Sequence, residues 1–252
     1  MIKVSAVSYL NTKPLLWGIL TSEVHQMIDL QLDIPSECAA KLERGEVDLG
    51  LVPVAIIPKL SSPRIISDYC IGTVGAVKTV CIYSDLPIEE LDSIYLDFHS
   101  RTSVELVQIL VKEYWKLDID FIPAEAGFEN HIAGKTGALV IGDKAMGMEE
   151  KHPYTYDLGE YWLKHTGLPF VFAAWVSNKP LPSDFIQAFN KAIERGLKAL
   201  PDLMLLMPEK ADFDLQDYYT KYISYELDAP KRAALDLFLE KLTKGAFALA
   251  AG

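Results

Sequence analysis

The stretch Val7-Ser8-Tyr9-Leu10-Asn11-Thr12-Lys13-Pro14-Leu15 joins the first apolar run of the chain to the next. Alternation between Ile2 and Val7 predicts a β-strand. Pro14 suits the first turn of a helix, where a missing N–H group has no cost. The polar residues Ser8, Asn11 and Thr12 therefore lie on a predicted strand-to-helix loop. In an open α/β sheet, ligands collect at the carboxyl ends of the strands and face helix N-termini.

Small hydroxyl and amide side chains on such a loop suit a polar, anionic small molecule. The same residue types also cap helices without any ligand. The spacing alone therefore leaves a binding role and a capping role open for this loop.

The composition limits the size of the fold and the kind of partner. The chain has 252 residues, half of them hydrophobic, and a formal net charge of −11. This length can bury a substantial core in one large domain or in two lobes. The acidic balance argues against a nucleic-acid partner, because phosphate binding needs clustered Lys and Arg. A small anion remains compatible, since a few local donors can hold it.

The N-terminus and the cysteines predict a cytoplasmic protein with no membrane partner. Met1 leads directly into the first predicted strand, without a basic segment and a long apolar segment of the signal-peptide type. No window reaches the roughly 18 consecutive apolar residues that a membrane span needs. Cys38, Cys70 and Cys81 are odd in number and show no C-x-x-C spacing, which is typical of small buried hydrophobic residues in a reducing compartment.

Strands and helices alternate in the first 60 residues. Residues 30–34 alternate as a strand, Pro35 opens a helix that Gly45 ends, and residues 47–52 form a strand that is apolar enough to be buried on both faces. Pro53 begins another short helix. This order predicts a parallel sheet with right-handed crossovers.

The remaining chain predicts a second α/β unit and a helical C-terminus. Thr102 and Glu105 form a capping box, with Thr102 as the helix cap. Residues 157–169 are expected to be irregular. Strands are expected at 65–73, 76–84, 93–96, 119–122, 137–141 and 170–176, and helices at 100–115, 184–199, 201–207, 214–223 and 230–243.

We expect two lobes, residues 1–86 with 175–252 and residues 87–174, joined by two crossovers that make a hinged cleft. Strand-to-helix loops at 8–12, 100–103 and 142–143 would face this cleft. Interfaces between domains are preferred ligand sites.

The chain lacks the common motifs of nucleotide, metal and serine chemistry. It contains no G-x-G-x-x-G, H-E-x-x-H or G-x-S-x-G sequence. Gly134-Lys135-Thr136 resembles the end of a phosphate loop, but Glu129 occupies the position of its first glycine. The five histidines form no close pair, so we expect no metal site. These residues alone predict a two-lobed binder of a small polar molecule.

The stretch from Ser8 to Leu15 resembles the N-terminal signature of chorismate dehydratase, the first enzyme of the futalosine route to menaquinone. Later segments resemble the same family, over residues 4 to about 180; the helical tail is less distinctive. These segments are Pro35-Ser36 followed by Leu42, Gly45 and 47–55, then Ile71-Gly72 to Val77, Ser100-Arg101-Thr102-Ser103, Gly142-Asp143, and 166–173 with Trp175.

The resemblance implies a type II periplasmic-binding-protein-like fold, an α/β architecture of two lobes with a hinged cleft. It implies an enzyme that removes water from chorismate to give 3-[(1-carboxyvinyl)oxy]benzoate, without a metal or an organic cofactor. The sequence leaves the oligomeric state open between a monomer and a homodimer. The base is also open between a protein group and the enolpyruvyl carboxylate of the substrate.

The resemblance also implies the site residues. Asn11 and Thr79 are the expected catalytic residues, Asn11 as a hydrogen-bond partner of the substrate. The family usually has Ser at the position of Thr79, which keeps the hydroxyl and adds a methyl group. The expected substrate-binding residues are Ser8, Thr12, Pro53, Ser100, Arg101, Thr102, Ser103, Gly142, Asp143 and Phe170.

Several of these residues have a structural alternative. Thr102 and Asp143 could cap their own helices, and Arg101 could face solvent. Tyr9, Phe170 and Trp175 could belong to the core instead of the cleft wall.

Other functions compatible with the fold are a solute-binding protein, an effector-binding fragment of a regulator, and 1,4-dihydroxy-6-naphthoate synthase, a relative later in the same pathway. A secretion signal would favour the first, and DNA-binding helices or a basic patch would favour the second. A well-placed catalytic histidine would favour the third. His99, just before Ser100, is the one histidine within the matching segments.

Overall fold

The structure, a computed structural model, alternates strands and helices as the apolar runs predict. It describes residues 1–207 and 212–250, with side chains through residue 244. The strands are β1 (Ile2–Val7), β2 (Ile28–Asp33), β3 (Leu49–Pro53), β4 (Arg64–Thr73), β5 (Val80–Ser84), β6 (Ser93–Leu96), β7 (Asp120–Pro123), β8 (Thr136–Ile141), β9 (Tyr154–Asp157), β10 (Phe170–Ser177) and β11 (Ser224–Glu226). The α-helices are α1 (Lys13–Leu20), α2 (Val24–Met27), α3 (Pro35–Glu43), α4 (Arg101–Leu110), α5 (Leu158–Thr166), α6 (Ser183–Lys198), α7 (Leu200–Leu206), α8 (Leu215–Asp217) and α9 (Ala229–Ala250).

The first lobe is built on a sheet with strand order β11-β4-β10-β3-β1-β2 in the described part of the chain. Strands β2 and β3 flank β1 in parallel, as predicted. Strand β10 runs antiparallel between β3 and β4. Every residue of β3 and β10 is buried, because helices cover both faces of the central sheet.

The second lobe has the strand order β7-β6-β8-β5-β9. Strand β6 pairs in parallel with β7 and β8, and β5 pairs antiparallel with β8 and β9. Helix α4 follows β6, so the start of α4 and the end of β8 both face the first lobe.

Helices α1 and α6 cross with their backbones in close contact. A Cβ atom on Gly18 would lie 1.8 Å from the carbonyl oxygen of Ala192, and one on Gly196 would lie 2.0 Å from that of Pro14. Only glycine permits this approach. The crossing fixes α1 on the C-terminal helices, as the expected packing of the helical tail on the first lobe requires.

The chain passes between the sheets at residues 74–79 and again between α5 and β10. The buried carboxylate of Asp157 accepts hydrogen bonds from the backbone N–H groups of Val77 and Lys78 in the first crossing. It also accepts from Gly159 and Glu160 at the start of α5. One side chain thus caps α5 and holds the hinge.

The lobe boundaries expected at residues 86 and 174 differ from these crossings. Strand β5 belongs to the second sheet and begins at Val80, four residues later than predicted. Gly75 and Lys78 take left-handed conformations, which interrupt the extended backbone that was expected from residue 76. Strand β10 belongs to the first sheet from Phe170 onward. The crossovers therefore lie at the ends of β4 and α5.

Two local predictions were wrong. Ser100, not Thr102, caps α4, because its side-chain oxygen accepts from the N–H of Ser103. Residues 157–169 are largely helical, since Asp157 provides an N-cap and Gly167 ends α5 with φ of 72°. The three cysteines are buried and unpaired, as predicted.

Candidate active site

A cavity lies between the two lobes. Its first-lobe wall includes Tyr9, Asn11 and Pro53, and its second-lobe wall includes Thr79 and Gly142, together with Ser100 and Ser103 at the start of α4. The rest of the wall is apolar: Val7, Pro35, Ile71, Val77, Val80, Ile141, Phe172 and Ala173. The cleft therefore combines a few hydrogen-bonding groups with apolar faces, as small-molecule sites do.

The two residues predicted to be catalytic meet at a buried tyrosine. Thr79 Oγ1 lies 3.1 Å from the hydroxyl of Tyr218, and the side chain of Asn11 is a further hydrogen-bonding neighbour of that hydroxyl. Tyr218 is fully buried, and burial raises its pKa, so the phenol stays protonated. No pattern in the sequence marks Tyr218, which lies 139 residues after Thr79.

Two more tyrosines hold the backbone of the 8–12 loop. Tyr219 donates to the carbonyl oxygen of Leu10 at 2.7 Å, and Tyr225 donates to that of Asn11 at 2.8 Å. From the other lobe, Asp143 accepts from the N–H of Leu10 at 3.2 Å. The loop that carries Asn11 is therefore fixed on three sides.

The start of α4 supplies donors to the second-lobe wall. Ser100 and Ser103 both line the cavity, and their hydroxyls lie 3.2 Å apart. The free N–H groups and the positive end of a helix macrodipole favour an anion at such a position.

Three other residues predicted to bind substrate instead form contacts between the two lobes. Arg101 pairs with Glu43 of α3 at 2.7 Å, and the buried hydroxyl of Thr102 accepts from the N–H of Ala55 at 3.2 Å. Asp143 accepts from the N–H of Leu10 across the cleft. None of these three side chains belongs to the cavity wall described above.

Three further predicted residues lie away from the cavity. Ser8 is exposed, and Thr12 is buried with its hydroxyl donating to Asn11 Oδ1 at 3.1 Å. Phe170 is 1% exposed and lies one layer behind the wall, with its ring edge against Phe172. Phe172 provides the aromatic wall that was expected from Phe170.

Tyr9 also forms part of the wall, which the sequence left undecided between wall and core. Its hydroxyl lies 2.7 Å from Nδ1 of His99. Burial lowers the pKa of His99, and burial with the nearby Asp97 and Asp143 raises the pKa of Tyr9. Both groups are therefore neutral near pH 7. Gly142 is required opposite the ring, because its φ is 67° and a Cβ atom would lie 2.8 Å from Tyr9.

The described part of the cavity wall carries no side chain that is charged near pH 7. Asp97 is fully buried nearby and pairs with Lys144 at 3.0 Å. Across the described residues, no group of three or more His, Cys, Asp or Glu side chains could hold a metal ion. No helix among them is long and apolar enough to span a membrane. The wall is thus suited to a ligand held by neutral hydrogen-bond donors.

A family model described as menaquinone biosynthesis matches residues 2–244, nearly the whole chain. The chain belongs to this menaquinone biosynthesis family. Two curated relatives are chorismate dehydratases. That of Thermus thermophilus is 29% identical over 231 residues, covering 83% of this chain and 84% of the relative. That of Campylobacter jejuni is 31% identical over 151 residues, covering 58% of this chain and 66% of the relative.

Solved structures show the fold. A protein of Archaeoglobus fulgidus superimposes with a TM-score of 0.69 at 12% identity and covers 98% of each chain. A Candida albicans protein, described as having the generic periplasmic binding protein fold, has a TM-score of 0.64 at 11% identity and covers 96% of this chain and 90% of its own. The two-lobed architecture expected from the sequence is confirmed.

Proposed function

We propose that this chain is a chorismate dehydratase that forms 3-[(1-carboxyvinyl)oxy]benzoate in menaquinone biosynthesis. The observation that carries the proposal is the interlobe cavity. Asn11, from the Ser8–Leu15 stretch, and Thr79 both line this cavity, and the buried hydroxyl of Tyr218 contacts both side chains. Membership of the menaquinone biosynthesis family supports it, as does the similarity to the Thermus thermophilus enzyme over most of both chains.

Neutral donors on both walls suit a substrate with two carboxylates. Ser100, Ser103 and the N–H groups that begin α4 would hold one carboxylate. Asn11 and Thr79 would bind at the other side. A wall without a cation would leave the substrate carboxylates basic, so a substrate carboxylate could serve as the base.

The reaction removes a proton activated through the diene by the ring carboxylate. Negative charge builds on that carboxylate in the transition state, so fixed donors around it lower the barrier as an oxyanion hole does. Tyr218 would keep two such donors oriented. The apolar wall would exclude bulk water, which strengthens these hydrogen bonds.

Two other functions use the same fold. A catalytic histidine in the cleft would favour 1,4-dihydroxy-6-naphthoate synthase; His99 lies beside the cavity and reaches Tyr9, which itself lines it. A non-catalytic anion-binding protein would bind its ligand unchanged. We also expect the protein to act in the cytoplasm, which its three unpaired cysteines fit, and as a monomer or a homodimer.

The test is to mix the purified protein with chorismate and no added metal. We expect loss of the diene absorbance and the appearance of an aromatic enolpyruvyl ether, identified by NMR. Unchanged chorismate, with conversion of the precursor of 1,4-dihydroxy-6-naphthoate, would show that the later enzyme is the correct assignment. Tight binding of another anion without turnover would favour the solute-binding function.

A further inference from the structure

Tyr9 is the one titratable side chain among the described residues that line the cavity. The other polar side chains of the wall are the amide of Asn11 and the hydroxyls of Thr79, Ser100 and Ser103. Hydroxide is a poor leaving group, so a dehydration gains from an acid that protonates the departing oxygen. The wall offers one phenol for that purpose.

The geometry points to Tyr9 as the general acid for the departing hydroxyl, with His99 as the positioning residue that orients the phenol. This inference rests on the proposed dehydration and adds a proton donor to it. Tyr9 would protonate the leaving group, whereas Asn11 and Thr79 would stabilise the negative charge that builds on the substrate carboxylate.

The ring of Tyr9 has little freedom to turn away from the cavity. It packs against Gly142, and its neighbour Leu10 is fixed from both lobes. A phenol oxygen donates one hydrogen bond and accepts others. When Nδ1 of His99 carries a proton, it donates to the Tyr9 oxygen over 2.7 Å, and the phenol hydrogen is free to point into the cavity.

His99 is itself held at both backbone groups. Its N–H donates to Asp97 Oδ1, and its carbonyl oxygen accepts from the N–H of Ser36, both at 3.0 Å. The charged groups that face its ring are Asp97, Glu129 and Lys144, and those that face Tyr9 are Asp97 and Asp143. Burial lowers the pKa of His99, so its ring is a neutral donor and acceptor near pH 7.

The step balances without a co-reactant. The base takes the ring proton of the substrate, and the electron pair of that C–H bond completes the aromatic ring. The C–O bond breaks with its electron pair on oxygen, and the phenol proton of Tyr9 joins that oxygen to form water. The phenolate then takes a proton from solvent while Nδ1 of His99 keeps its own proton, and the base releases the substrate proton to solvent, so every group returns to its starting state.

The experiment compares kcat and KM of the wild type with those of Tyr9→Phe, His99→Leu and His99→Asn. Tyr9→Phe should lower kcat by about 100-fold, the smaller end of general acid catalysis, with little change in KM. It should also reduce the solvent deuterium isotope effect on kcat. His99→Leu should lower kcat, and His99→Asn should restore part of it, because an amide nitrogen near the Nδ1 position can still donate to Tyr9.

Tyr154→Phe is the matched control, since Tyr154 lies on β9, outside the cavity wall, and should keep wild-type kinetics. Thermal unfolding of each variant checks that the fold is intact. The inference is overturned if folded Tyr9→Phe keeps the wild-type kcat, or if its whole loss lies in KM. A wild-type protein that leaves chorismate unchanged overturns the proposed function and this inference with it, whereas an active wild type with an unaffected Tyr9→Phe overturns this inference alone.

Discussion

Asn11 is the residue on which the proposed chemistry depends most directly. Its carbonyl and side-chain oxygens are occupied by Tyr225 and Thr12, which leaves the amide nitrogen to face Tyr218 and the cavity. Asn11→Ala should therefore lower kcat by about 10²–10³-fold, as the loss of one oxyanion donor does. Steady-state kinetics with chorismate would measure this. Ser8→Ala is the control, because Ser8 is exposed and should not affect turnover; equal rates for Asn11→Ala and the wild type would remove Asn11 from the site.

Tyr218 orients Asn11 and Thr79 without lining the cavity itself. Tyr218→Phe should lower the free energy of unfolding by about 1 kcal/mol, the usual value of one buried hydrogen bond, and should also lower kcat/KM. Tyr156→Phe is a matched control, because its hydroxyl accepts a hydrogen bond from Ile88 in the second lobe. It should show a similar loss of stability in urea denaturation without a loss of activity. Equal activity losses in both variants would mean that Tyr218 acts only through stability.

Acid should weaken the fold through His99. Its pKa in the folded protein is below the ordinary value of 6.5, mainly because of burial. The stability it contributes is therefore fully present above pH 6.5 and is lost as the pH falls through its folded pKa. Urea denaturation at pH 5 and pH 7.5 should show a smaller loss of stability on acidification in His99→Asn than in the wild type. Identical losses would mean that His99 does not titrate differently on folding.

The strand-to-helix loop, the helix cap region and the family signature indicated most of the polar side chains of the wall. Asn11, Thr79, Ser100 and Gly142 all reach the cavity. The tyrosines at 218, 219 and 225 were not predictable, because their partners lie between 139 and 214 residues away and no local pattern marks such contacts. Phe170 and Phe172 differ only in depth within one strand, which alternation cannot distinguish.

At the level of elements, the crossing of α1 and α6 positions the loop that precedes α1. Gly18→Ala should lower the free energy of unfolding by roughly 1–3 kcal/mol, the usual cost of overpacking, because its methyl group would overlap the carbonyl of Ala192. Gln187→Ala, at an exposed position of α6, should leave stability unchanged. Urea denaturation measures both. Wild-type stability in Gly18→Ala would show that the two helices can separate without cost.

Helix α5 shows why one element was missed. Its N-cap Asp157 and its final Gly167 are both ordinary helix signals, but the aromatic residues between them obscured the helical period. The same Asp157 holds the hinge backbone at Val77 and Lys78, a contact that no spacing in the sequence reveals. The left-handed conformation of Lys78 likewise depends on this tertiary contact.

At the level of the whole molecule, several bonds join the lobes beside the cavity. Thr102 accepts from Ala55, Asp143 accepts from Leu10, and His99 accepts from Ser36 through its carbonyl oxygen. These contacts hold the cleft in the form seen in the structure. The sequence predicted the two lobes and the cleft. The hydrogen bonds between the lobes depend on how the two lobes lie against each other, so they could not be derived from either lobe alone.

Arg101 distinguishes a role in closing the cleft from a role in binding the substrate. Its partner Glu43 belongs to the other lobe, and both side chains are partly exposed. An ion pair between the lobes at this exposure should stabilise the closed cleft by less than about 1 kcal/mol. Arg101→Ala and Glu43→Gln should therefore each raise KM for chorismate only a few-fold, with kcat unchanged.

The double variant Arg101→Ala with Glu43→Gln should then raise KM no further than either single variant, because both substitutions remove the same interaction. If Arg101 instead bound a substrate carboxylate, Arg101→Ala alone would raise KM strongly and Glu43→Gln would have little effect. The double-mutant cycle in KM thus decides whether this arginine acts on the ligand or on the closure of the two lobes around it.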